Sequence, residues 1–178
     1  MKNWTKASTG GCTVGVILAL VFGAEHDLKT SEQGLTHTAN YEGCRTQAYQ
    51  CSADKWTAGM GHTDGVEKGD VATHEQIANW FVEDVREAEQ VVNRHLRADV
   101  TQAQYDMNVS FVYNLGAGNY IRSTFLKKFN NGDPVGACNE LPRWVYVNGK
   151  NCRIAANNCG GIPKRRDREQ QICLHGYE

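Results

Sequence analysis

Trp56-Thr57-Ala58-Gly59-Met60-Gly61-His62-Thr63 is the stretch whose reading decides the fold. Gly59 and Gly61, with Gly65 beyond, each weaken a helix by about 1 kcal/mol relative to alanine, and they mark tight turns instead. The tryptophan and threonines favour extended chain. Residues 45–63 as a whole lack helical periodicity, carry Tyr49 as well, and read as short strands joined by turns.

On both sides the pattern changes to helix. Upstream, Ser31 caps a helix running through Leu35 and Ala39 to Glu42, with Gly43 as its stop. Downstream, Thr73 and Gln76 form a capping box opening a long helix. Its apolar stripe is Ile77, Phe81, Val85, Ala88, Val92 and Leu96, with Trp80 read as core beside it. Thr101 with Gln104 opens another helix that stops at Gly116. Shorter helices are expected over residues 124–130 and 134–144, and a last one from Pro163 to near Gly176. Between them, residues 147–163 read as a polar loop bracketed by Cys152 and Cys159. The predicted class is α+β: a small sheet lobe joined by one long helix to a larger helical lobe.

With 178 residues, 40% of them apolar and 22% charged, the chain is an ordinary folding sequence and not a disordered one. A formal net charge of −1 argues against nucleic acid as a partner. Lys164, Arg165, Arg166 and Arg168, with Glu169 alongside, read as a solvated helix face. The seven cysteines (12, 44, 51, 138, 152, 159 and 173) form no CxxC pair and have no zinc-like spacing with histidine. No metal or cofactor is therefore expected. So many cysteines favour an oxidising compartment, against the competing reading of buried free thiols in a reduced one.

Residues 7–24 are eighteen positions without charge. As a helix they would reach about 27 Å, barely the hydrocarbon thickness of a bilayer. Valines, leucines and Phe22 are diluted there by Gly10, Gly11, Gly15 and Gly23. Lys2 and Lys6 precede the segment and Glu25 and Asp27 follow it, which points the N-terminus inward. The expectation is a weak signal-anchor over residues 1–27, which exports residues 28–178 and holds them marginally. A cleavable signal peptide, processed near Val21-Phe22-Gly23, is the competing reading, and a soluble core helix a third.

Glycoside hydrolysis requires a protonated acid on one side of the bond and a base or nucleophile on the other. Glu42, where a helix meets the strand-and-turn segment, is the candidate acid. Eight residues separate it from Cys51, and five more separate Cys51 from Thr57. This spacing resembles the catalytic Glu–Asp/Cys–Thr pattern of phage-type lysozymes, glycoside hydrolase family 24. Trp56–Thr63 is similar to that family's W-T-x-G-x-G-x-T segment. Phe111, Asn114 and Gly116 are similar to its F-x-x-N-x-G helix end, and Arg165, Arg166 and Glu169 to its late R-R-x-x-E.

The resemblance implies a two-lobed lysozyme-like fold with a transmembrane-type helix before it. It implies a muramidase cutting, with inversion, the β-1,4 bond between N-acetylmuramic acid and N-acetylglucosamine of peptidoglycan. Glu42 would be the acid, with Cys51 and Thr57 holding or activating water. Two features depart from the pattern: cysteine at 51 where many relatives have aspartate, and the 152–159 loop, which does not align. A thiol with pKa near 8.5 is a base only as thiolate, so Asp54 is an alternative second carboxylate. A Cys51–His62 cysteine peptidase is a further alternative, although His62 reads better as a hydrogen-bonding residue of the sheet. A lytic transglycosylase would need the glutamate alone, and a non-catalytic, membrane-anchored wall-binding protein would need neither.

Similar phage endolysins carry cysteines at the positions of Cys138 and Cys173, Cys44 and Cys51 are close in sequence, and the arrangement with Cys12 resembles signal-arrest-release endolysins. Cys138 and Cys173 would pair, and Cys152 and Cys159 could close a short loop. While the chain is tethered, a Cys44–Cys51 bond would block Cys51; on release from the membrane, Cys12 would attack Cys44 and free it. Expected surroundings are the host inner membrane facing the periplasm, reached through residues 7–24, and then the periplasm itself, with the protein a monomer.

Overall fold

The computed structural model describes residues 12–50 and 55–177. The chain forms two compact units that divide between Glu87 and Ala88.

The first unit opens with α1 (Val14–Gly23), capped by the Thr13 hydroxyl, which accepts from Val16 N at 3.3 Å. Ile17, Leu18 and Val21 are its buried residues, and it packs on α2 (Glu32–Asn40). Fully burying side chains of this size is worth about 1.5–3 kcal/mol each. α1 is ten residues long, and among the described residues no helix is long and apolar enough to cross a membrane.

Ser31 caps α2 as expected, accepting from Gly34 N at 3.1 Å. The helix stops two residues before Glu42, at a Tyr41 cap, with Glu42 N bonded to Ala39 O at 3.1 Å. Gly43 does not take a positive φ, so the tightened last turn ends the helix and not a left-handed glycine.

β1 (Arg45–Gln50) and β2 (Trp56–Gly59) pair antiparallel, with Tyr49 opposite Thr57 and Gln50 opposite Trp56. Ala48 N to Asp70 O (2.9 Å) and Ala72 N to Thr46 O (2.8 Å) lay residues 70–72 along the other edge of β1. α3 (His74–His95) begins in this unit and ends in the second. Its capping box is present: Thr73 N donates to Gln76 Oε1 at 2.9 Å, and Gln76 N to Thr73 Oγ1 at 3.2 Å. Ile77, Phe81, Val85, Ala88 and Val92 are buried along one stripe, as the periodicity predicts, but Leu96 lies just past the end of the helix and is half-buried.

The second unit continues with α4 (Gln102–Leu115), α5 (Ala117–Arg122), α6 (Thr124–Asn130), α7 (Pro134–Cys138) and α8 (Gly161–His175). The Thr101 capping box opens α4, and Gly116, at φ +80°, ends it. Phe111 stacks on Phe125 at 5.1 Å and meets Trp144 edge-on at 4.9 Å, and Phe129 meets Phe125 at 5.1 Å. These rings form the centre of the unit. Disulfides join Cys138 to Cys173 and Cys152 to Cys159.

Three expectations change here. The single helix over 134–144 is broken after Cys138 and resumes as a 3-10 turn, Leu141–Arg143. The polar loop contains a hairpin, β3 (Tyr146–Val147) with β4 (Lys150–Asn151), because Asn148 (φ +49°) and Gly149 (φ +76°) make a two-residue turn. Arg165 and Arg166 are not a solvated face: they are 2% and 0% exposed, against Glu169 at 0%. Arg165 Nε lies 3.0 Å from Glu169 Oε1 and Arg166 Nη1 2.7 Å from Oε2, while Ser110 Oγ donates to Oε1 at 2.8 Å. Arg166 also donates to Asn114, so the network ties α8 to α4.

Candidate active site

One tight turn with two positive-φ glycines sets the surroundings of Glu42. Ala58 and His62 exchange backbone hydrogen bonds at 3.0 Å in both directions, which folds Gly59, Met60 and Gly61 into a tight loop. Gly59 and Gly61 have φ of +63° and +100°, conformations that L side chains resist. A methyl at Gly59 would lie 3.1 Å from Ile77 Cγ2 and 3.5 Å from Trp80 Cε3, so the bare backbone is what lets the loop sit on α3. A methyl at Gly61 would lie 3.8 Å from Glu42 Oε2. The half-buried Glu42 carboxyl is thus placed beside the loop of the signature stretch.

Thr57 is 3% exposed on β2, and its hydroxyl donates to Lys55 O at 3.2 Å, leaving acceptor capacity on the oxygen. Cys51 and Asp54, the two candidates for the second catalytic position, lie outside the described residues. Cys51 directly follows Gln50, which pairs with Trp56, the neighbour of Thr57.

His62 is held from two sides by α3. Its Nδ1 lies 2.9 Å from Asp84 Oδ1, and its ring stacks on Trp80 with centroids 4.7 Å apart and planes 11° apart. Trp80 and Asp84 are four residues apart, so one helix face supplies both contacts. Burial pushes the Asp84 carboxyl above its ordinary value, outweighing the hydrogen bond and charge of His62. Asp84 was missing from the sequence reading; its place one turn after Trp80 was the available signal.

Cys12 and Cys44 form a disulfide. They border an open cavity of about 320 Å³ along β1, where the Arg45 guanidinium covers the Tyr49 ring at 4.3 Å. Among the described residues, no group of three or more His, Cys, Asp or Glu side chains could hold a metal ion.

Comparison with known proteins gives this arrangement a family. The phage lysozyme family model matches residues 39–169. An endolysin of Acyrthosiphon pisum secondary endosymbiont phage 1 is 40% identical over 80% of this chain and 95% of its own. The SAR-endolysin of Escherichia phage P1 is 32% identical over 99% of this chain and 98% of its own. The active form of the P1 phage endolysin Lyz superposes with a TM-score of 0.80 at 32% identity, covering 94% of this chain and 97% of that one. Its secreted inactive form gives a TM-score of 0.56 at the same identity, covering 83% and 96%. The α+β fold, with small sheets and a helical bulk, is lysozyme-like. The chain belongs to the phage lysozyme family and is a glycoside hydrolase.

Proposed function

We propose that the protein is a phage endolysin that hydrolyses the β-1,4 bond between N-acetylmuramic acid and N-acetylglucosamine of peptidoglycan, and that cysteine exchange switches it on. Glu42 donates its proton to the leaving glycosidic oxygen. Cys51 and Thr57 orient or deprotonate the attacking water on the opposite face of the sugar. Residues 1–27 act as a signal-anchor in the host inner membrane, and residues 28–178 are the catalytic part in the periplasm.

In the tethered form a Cys44–Cys51 bond removes the Cys51 sulfur from the site. Cys12, within the lipid-embedded segment, neither ionises nor reaches that bond. After release, the Cys12 thiolate attacks Cys44 Sγ, the Cys12–Cys44 bond forms, and Cys51 leaves as thiolate. The exchange needs no outside oxidant or reductant, since one disulfide replaces another.

The observation that carries this reading is the Cys12–Cys44 bond, the product that the exchange requires. Two others support it. Ile17, Leu18 and Val21 are buried against the protein's own first unit, giving the released segment somewhere to go. The fold is also nearer the active form of the P1 endolysin than its secreted inactive form.

The test is Cys12→Ser. It should be exported and released like wild type, as judged by membrane fractionation, yet fail to lyse cells without added reductant. Full lysis by released Cys12→Ser would end the exchange reading. A chain starting near residue 24 in the membrane-free pool would instead restore a cleaved signal peptide.

A further inference from the structure

The hairpin and the bridged loop after it carry chemistry that the reaction at Glu42 does not use. Tyr146 is 63% exposed, with Val147 (41%) and Ile154 (54%) nearby in the chain. Tyr146 and the half-buried Trp144 line a cavity of about 520 Å³ within the second unit, together with Asn119, Thr124, Glu140 and Arg143. The Glu140 charge is already answered by Lys128 Nζ and Arg143 Nη1, each at 3.2 Å, so the cavity is not an acidic site. Its lining is two aromatic rings and Leu115, with the Asn119 amide, whose Nδ2 donates to Leu115 O at 2.8 Å, the Thr124 hydroxyl, the Arg143 guanidinium and the Glu140 carboxylate. Flat apolar surface interleaved with hydrogen-bonding groups is the chemistry that fits a sugar ring, with its C–H face and its rim of hydroxyl and acetamido groups.

The hairpin has only two residues in each strand, and a pair this short has no stability of its own. What holds it is the segment that did not align with the family pattern. Cys152 N donates to Val145 O at 2.8 Å, and Cys152 is bonded to Cys159. Asn157 Nδ2 donates to Asn151 O at 2.7 Å, and Arg153 N to Asn151 Oδ1 at 3.0 Å. The Arg153 guanidinium donates to Pro142 O at 3.1 Å and to Asp167 Oδ1 on α8 at 2.8 Å. Residues 152–159 therefore fasten the base of the hairpin to the last helix.

We infer that this segment is a disulfide clasp, and that it presents Tyr146, together with Trp144, as the wall of a peptidoglycan sugar subsite. Tyr146 is then a positioning residue for the glycan strand. The inference rests on the lysozyme reading, because the ligand is that enzyme's own polymeric substrate. A subsite of this kind contributes the same binding in the ground and transition states, so its loss raises KM and leaves kcat alone.

The experiment is steady-state kinetics of the purified, released protein on soluble peptidoglycan strands, with and without prior removal of the stem peptides by an amidase. Tyr146→Ala should raise KM about tenfold, as expected for loss of one aromatic contact, with kcat and melting temperature unchanged. Tyr146→Phe should keep the wild-type KM, since the ring and not the hydroxyl does the work. Replacing Cys152 and Cys159 together by alanine should move KM toward the Tyr146→Ala value. An unchanged KM in Tyr146→Ala, while wild type turns over normally, overturns the subsite and leaves the lysozyme reading intact. A defect that vanishes on strands without stem peptides overturns the sugar assignment. No turnover by wild type on either substrate would strike at the lysozyme reading itself.

Discussion

Replacing Glu169 by glutamine removes one negative charge from a fully buried cluster and changes little else in shape. The carboxylate is 0% exposed and answers two guanidiniums, at 3.0 Å and 2.7 Å, on Arg165 and Arg166, which are 2% and 0% exposed. Water cannot take over, so the substitution leaves two buried cations facing a neutral amide. Breaking a buried ion pair from one side costs about 3–5 kcal/mol, because the penalty is the stranded charge and not the lost attraction alone. For a chain of this length, each kcal/mol lowers the melting temperature by about 2–4 °C, so Glu169→Gln should melt about 6–20 °C below wild type. The assay is urea or thermal unfolding of the released protein, with Lys164→Ala and Arg168→Ala as exposed controls expected within about 0.5 kcal/mol of wild type. If Glu169→Gln came within 1 kcal/mol of wild type, by the same scale, the cluster would not be the tie between α4 and α8.

Three other outcomes follow from particular contacts. Asp84, raised by burial, holds its proton more tightly in the folded protein than in the unfolded chain. The stability it contributes is present at low pH and is lost as pH rises from the ordinary value of 3.8 through the raised one. Asp84→Asn should therefore abolish that decline in melting temperature, and a wild-type advantage that grows with pH would contradict it. Gly61→Ala should lose about 1–2 kcal/mol in denaturant titration, because φ is +100° there, and should lower activity by placing a methyl beside the Glu42 carboxyl. Removing the Cys138–Cys173 bond with a double alanine variant should cost about 3.8 kcal/mol by the loop-entropy relation for its sequence separation of 35. A loss under 1 kcal/mol on that scale would show that the helices hold the ends together unaided.

The parts of the fold that were legible in the sequence are those set by neighbours in the chain. Ser31, the Thr73–Gln76 box, the Thr101–Gln104 box and the stops at Gly116 and Gly176 act within one helical turn, and each is where local chemistry puts it. The α3 stripe was readable for the same reason. Arg165 and Arg166 were misread because charge says nothing of burial; only the distant Ser110 and Asn114 reveal that the face is interior. The β3–β4 hairpin did carry a local signal, Asn148-Gly149, which went unused inside a segment read as loop. At the site, the turn at Gly59 and Gly61 was visible in composition. The approach of Gly61 to Glu42, and the grip of α3 on His62, depend on tertiary packing between segments about twenty residues apart in the chain.

The central claim is that Glu42 drives hydrolysis of the glycan strand, and the products test it most directly. Mass spectrometry of peptidoglycan digested by the released protein should find muropeptides ending in reducing N-acetylmuramic acid, with water added across the bond. The Glu42→Gln variant, folded and equally soluble, should yield at most about one thousandth of them, since an amide has no proton to give. Anhydro-muramic ends from the wild-type protein would identify a transglycosylase, and Glu42→Gln activity within tenfold of wild type would remove Glu42 from the reaction.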